Sequence, residues 1–79
     1  RVSGETMQNA NTRDLIFPIA KLIWHLTEVM TLEAGDIVVT GTPEGVGYAR
    51  NPPRFMVPGD TVDIEVEQVG ILSNPVVAE

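Results

Sequence analysis

Thr42 has the best chemical opportunity of any side chain in the sequence. It lies in Thr40-Gly41-Thr42-Pro43-Glu44-Gly45-Val46-Gly47, directly after the β-branched run Ile37-Val38-Val39. Pro43 fixes its own φ and drives the residue before it out of helical geometry, so Thr42 is expected to be extended at a strand end. From there its hydroxyl and the neighbouring backbone N–H groups can meet an anion such as a substrate carboxylate. The competing reading is a plain turn, which glycine, proline and threonine after a strand commonly make. A phosphate-cradling loop is disfavoured. That motif carries Lys and then Ser or Thr directly after its last glycine, whereas Gly47 is followed by Tyr48 and Ala49.

The other chemistry-bearing groups read as structural. His25 is the only histidine and falls off the apolar stripe of its predicted helix, with no second histidine or carboxylate pair at ligand spacing, so neither a catalytic nor a metal role is assigned to it. Asp63, Glu65 and Glu67 alternate with Val62, Ile64 and Val66, the pattern of a strand with one face to water rather than of a metal site. Asp36 and Asp60 each follow a glycine and introduce a strand, and read as turn caps. Arg50 and Arg54 flank Pro52 and Pro53; they can lend positive potential to a bound anion, but the first reading is solvated loop charge. Asn9, Asn11 and Thr12 form a polar cluster of the kind that caps helices, and capping is again the first reading for Asn11 and Thr12.

The elements that must position these groups follow from periodicity. Val2 to Gln8 reads as a short hairpin turning at Ser3-Gly4. From Pro18 to about Met30, Ile19, Leu22, Ile23, Leu26 and Met30 recur at helical spacing, with Phe17, Ala20 and Trp24 as a second apolar edge. Ile37 to Val39 reads as a strand covered on both faces, and Thr61 to Gln68 as a half-exposed one. Tyr48 to Val57 reads as an irregular excursion, and Ile71-Leu72 with Val76-Val77 as a last strand interrupted by Ser73-Asn74-Pro75. One helix among five or so short strands makes a β-rich α+β fold.

Composition narrows the function classes. The 79 residues carry 11 acidic and 5 basic side chains, a net charge of −6 that disfavours nucleic acid or an anionic membrane as partner. With no cysteine there is neither a disulfide framework nor a thiolate metal site. No apolar run is long enough to span a bilayer. A chain this short buries only about 60% of the surface its unfolded form exposes, so an independent core would be marginal.

Leu32-Glu33-Ala34-Gly35-Asp36-Ile37-Val38-Val39-Thr40-Gly41-Thr42-Pro43-Glu44-Gly45-Val46-Gly47 resembles the signature of the fumarylacetoacetate hydrolase family. Val2 to Gln8 followed by Asn11 to Phe17 is similar to another segment of that family, with Ser3 where asparagine is usual. Pro58-Gly59-Asp60 and Gly70 to Val76 are similar to its closing strands. The resemblance implies the C-terminal part, residues 1–79, of a single catalytic domain built as a mixed β-sandwich roll with one amphipathic helix. It implies a cytoplasmic enzyme acting on 2-oxo acids or their enol or acyl derivatives, by C–C bond hydrolysis, decarboxylation or keto–enol isomerisation. A divalent ion, Mg²⁺ or Mn²⁺, would polarise the oxo-acid oxygens, and its ligands, a Glu-x-Glu pair and a later Asp, belong upstream of this segment. Thr42, with Gly41 beside it, maps onto the family's substrate-carboxylate-binding threonine. The branch with an excursion like Tyr48 to Pro53 is that of the 2-hydroxyhepta-2,4-diene-1,7-dioate isomerases, and a homodimer is expected. The alternative is a catalytically inactive remnant serving as an oligomerisation or binding module.

Overall fold

A computed structural model describes all 79 residues, which divide into two units: residues 10–43, and residues 1–9 together with 44–79.

In the larger unit, β1 (Thr61–Val66) and β2 (Gly70–Pro75) form an antiparallel hairpin, with Thr61 opposite Pro75 and Val66 opposite Gly70. The turn closes where Val69 N–H donates to Val66 O (3.0 Å), with Gln68 at φ 64°. Pairing persists beyond the strands, since Val76 N–H donates to Asp60 O (2.8 Å) and Gly59 N–H to Val76 O (2.9 Å). β2 therefore runs unbroken through Ser73-Asn74-Pro75, where an interruption was expected. Pro75 sits at its last position, where the missing N–H costs no ladder bond. Glu67 and Gln68, expected in the strand, belong to the turn.

Opposed residues share a face, so Val62, Ile64, Val66 and Leu72 make one apolar face. Asp63, Glu65 and Ser73 lie on the other, together with Ile71. The acids there are engaged: Ser73 Oγ donates to Asp63 Oδ1 (2.6 Å), and Arg1 Nη1 pairs with Glu65 Oε2 (2.9 Å). The start of the chain lies along the other edge of β1. Ser3 N–H donates to Thr61 O (2.7 Å) and Asp63 N–H to Arg1 O (2.9 Å), while Val2 bridges both Glu5 and Val62. The hairpin expected at Ser3-Gly4 is thus present as a tight turn, with reciprocal bonds between Val2 and Glu5. Val2, 8% exposed, is the only buried hydrophobic residue.

In the smaller unit, Asn11 caps a 3-10 turn, Thr12–Asp14. Its Oδ1 accepts from Arg13 N–H (3.0 Å), and Asp14 Oδ2 accepts from Asn11 N–H (3.2 Å), a reciprocal box that satisfies two orphan donors. Helix α1 (Ile19–Thr27) follows, with Pro18 at its N-cap, one position before the first-turn place expected of it. A proline fits there because its extended ψ of 149° leads in and its carbonyl accepts from Leu22 N–H (3.1 Å). Thr27 Oγ1 donates back to Trp24 O (2.8 Å), and a final turn carries on as Met30 N–H donates to Leu26 O (3.0 Å). Leu22 and Leu26 are half-buried, whereas Trp24 and His25 are exposed. Lys21 Nζ lies 5.3 Å from the Phe17 ring centroid, a cation–π pair four residues apart.

The largest departure from expectation is at Ile37 to Val39. They belong to no strand, and Ile37 and Val39 are 88% and 89% exposed. A strand exists only by hydrogen bonding to another, and nothing in these 79 residues pairs with this one. The chain thus holds one α-helix and a two-stranded sheet rather than five strands. No helix is long and apolar enough to cross a membrane.

Candidate functional site

Gly41 and Thr42 lie on the surface of the smaller unit, in irregular chain after the exposed 37–39 segment. Gly41 adopts φ +92°, a backbone that side chains strain to reach, and a Cβ built there would meet nothing within 4 Å. Space is therefore not what requires glycine at 41; backbone direction is.

The other glycines of the string have a different cause. A Cβ on Gly45 would strike the carbonyl oxygen of Met7, and one on Gly47 the carbonyl oxygen of Arg54. Both let the chain lie flat on its own backbone, and Arg54 N–H donates to Gly47 O (2.9 Å) at that contact. A short 3-10 turn, Gly47–Ala49, follows, and then a cis Asn51–Pro52 bond within the irregular excursion the prolines announced.

The structure gathers a cluster that the sequence reading dispersed. Asp60, 8% exposed, is the only buried polar residue. Arg54 grips it with Nη1 and Nη2 at 3.1–3.2 Å, Ser3 Oγ donates to Oδ1 at 2.7 Å, and Val57 N–H donates to Oδ2 at 3.0 Å. The Val57 amide foremost, then the Ser3 hydroxyl and the Arg54 guanidinium, hold the Asp60 carboxyl below the usual aspartate range against the opposing effect of burial. Turn capping by Asp60 is as expected, and Asp36 repeats it by accepting from Glu33 N–H (2.8 Å). Arg54 and Arg50 depart from the solvated charges expected. Arg54 is committed to Asp60. Arg50 Nη2 donates to Thr6 O (3.4 Å) and Met7 O (3.2 Å), and its Nη1 meets Glu5 Oε1 at 3.5 Å. Nothing in local sequence marks these arginines, because their partners lie 6 to 45 residues away.

The acids of the chain do not fit a divalent cation. No three His, Asp or Glu side chains converge, and in Glu65-Val66-Glu67 the first acid pairs with Arg1 on β1 while the second lies in the turn.

The fumarylacetoacetate (FAA) hydrolase C-terminal profile matches residues 1–77, and the chain belongs to that family. It is 50% identical over 76 residues to the oxaloacetate tautomerase YisK of Bacillus subtilis (strain 168), covering 96% of this chain and 25% of that one. It is 47% identical over 77 residues to the mitochondrial oxaloacetate tautomerase FAHD2A of Bos taurus, covering 98% and 24%. The crystal structure of a putative HpcE protein from Mycobacterium smegmatis superposes with a TM-score of 0.90 at 43% identity, over 98% of this chain and 28% of that one. The chain spans about a quarter of the length of these curated relatives.

Proposed function

We propose that this chain is the C-terminal part of a divalent-metal-dependent enzyme that interconverts keto and enol forms of a 2-oxo acid, with oxaloacetate the first substrate to test. The observation that carries this reading is the 50% identity, over nearly the whole chain, to a protein named an oxaloacetate tautomerase. Gly41 and Thr42 supply the substrate-carboxylate contact: the hydroxyl donates to a carboxylate oxygen, and the positive φ of Gly41 turns the preceding chain away to leave that oxygen room. The Mg²⁺ or Mn²⁺ ion is held by residues outside these 79, and the complete enzyme is a homodimer. The bovine relative is named as mitochondrial, and a cysteine-free composition suits either that compartment or the cytoplasm.

The test is the complete protein with Mg²⁺ or Mn²⁺ and freshly dissolved enol-oxaloacetate, following loss of enol absorbance. Acceleration abolished by chelation is expected. A rate equal to the buffer's, with and without metal, rejects the reading.

A further inference from the structure

Three contacts in the larger unit join the same two stretches of chain, residues 5–8 and 44–50. Gln8 Nε2 donates to Glu44 O (3.2 Å) at one end. At the other, the part-buried Arg50 guanidinium donates to Thr6 O and Met7 O while pairing with Glu5. Between them Gly45 lies directly on the Met7 carbonyl. Each bond joins residues 36 to 45 apart in sequence, so none is a by-product of local turn geometry.

We propose that Gln8 and Arg50 form a clasp whose function is to position the Gly41–Thr42 loop, a role that rests on the carboxylate-binding reading of Thr42 given above. The argument is one of chain freedom. Thr42 is two residues before Glu44, and the single residue between them is Pro43, whose φ is locked. Pinning the Glu44 carbonyl and the Gly45 backbone leaves few rotatable bonds through which the Thr42 hydroxyl can wander. Neither Gln8 nor Arg50 touches substrate in this scheme; both act through the backbone they hold.

Two variants of the complete protein test it, Gln8→Leu and Arg50→Lys. Leucine keeps the bulk of glutamine without its donor, and lysine keeps the charge for Glu5 but not the fork that reaches two carbonyls. The clasp predicts amide exchange in residues 44–50 at least about tenfold faster in both variants without substrate, while exchange in β1 and β2 is unchanged. It also predicts a roughly tenfold fall in kcat/KM for oxaloacetate carried by KM, and no further loss when Gln8→Leu is added to Thr42→Ala. Unchanged exchange in both variants overturns the clasp. Additive losses in the double variant overturn its link to Thr42, because a merely structural residue would subtract independently. Wild-type protein inert toward oxaloacetate removes the proposed function but not the clasp, which exchange alone then decides.

Discussion

At the residue scale, two side chains separate chemistry from construction. Thr42 is assigned to substrate, so removing its hydroxyl should be felt in kinetics and not in folding. A hydrogen bond to a charged group contributes about 1.5–3 kcal/mol, so Thr42→Ala should lower kcat/KM of the complete enzyme by about ten- to a hundredfold. Thr42→Ser should recover most of the loss, and equal rates for all three proteins would remove Thr42 from the site. Asp60 is assigned to folding. Its carboxyl is held below the usual aspartate range, so the unfolded chain takes up a proton at higher pH than the folded one does. Its contribution is therefore fully present above about pH 4, the unfolded value, and is lost as pH falls through the lower folded value. Asp60→Asn should reduce Tm at neutral pH and flatten its decline between about pH 4 and 2, with oxaloacetate KM unaltered at pH 7. A Tm profile parallel to that of wild type would show that the cluster does not couple to stability.

At the element scale, local signals were legible and non-local ones were not. The Asn11 cap, the body of α1, the Gly35-Asp36 and Gly59-Asp60 turns and the alternation of β1 were all readable, because each arises between residues at most four apart or from a simple period. The apolar run Ile37-Val38-Val39 was read correctly as demanding cover, but a run of β-branched residues cannot say whether a partner strand lies in the same chain segment. The glycine-rich loop was legible as a loop and misleading as a unit, since Gly41 answers to backbone direction while Gly45 and Gly47 answer to close packing. The difference is testable by substitution. Gly47→Ala drives a methyl into the Arg54 carbonyl and should destabilise the complete protein by about 1–3 kcal/mol. Gly41→Ala has open space and should cost about 1–2 kcal/mol through its left-handed backbone alone. Denaturant midpoints with unchanged slopes would measure both, and a neutral Gly47→Ala would mean that the 45–47 loop rests less closely on its neighbours than drawn.

At the scale of the whole molecule, the 79 residues expose 7000 Å². Ordinary scaling gives about 5,700 Å² even for two separate folded units of this size, so the excess does not depend on how the units are arranged. Much of it is apolar: Ile64 and Leu72 on one sheet face are 54% and 60% exposed, beside the uncovered Ile37 and Val39. The isolated segment should therefore self-associate, or melt without cooperativity, in ultracentrifugation and calorimetry; a monomer with one sharp transition well above room temperature would contradict this. The same segment should show no stoichiometric micromolar Mg²⁺ or Mn²⁺ site by titration calorimetry, because its acids do not converge. The larger unit is also discontinuous, with residues 1–9 completed only by residues 44–79. Ser3 meets Asp60 across 57 positions, whereas Asp63 meets Ser73 across 10, and closing the longer loop costs about 1.5 kcal/mol more in chain entropy. On the ribosome, the stretch holding Val2, Ser3 and Glu5 is made first and stays without its partners until β1 has been synthesised. Chains stalled before Asp60 should keep that stretch open to protease, and chains released beyond Val76 should close it, so the timing of translation enters the folding of this piece directly.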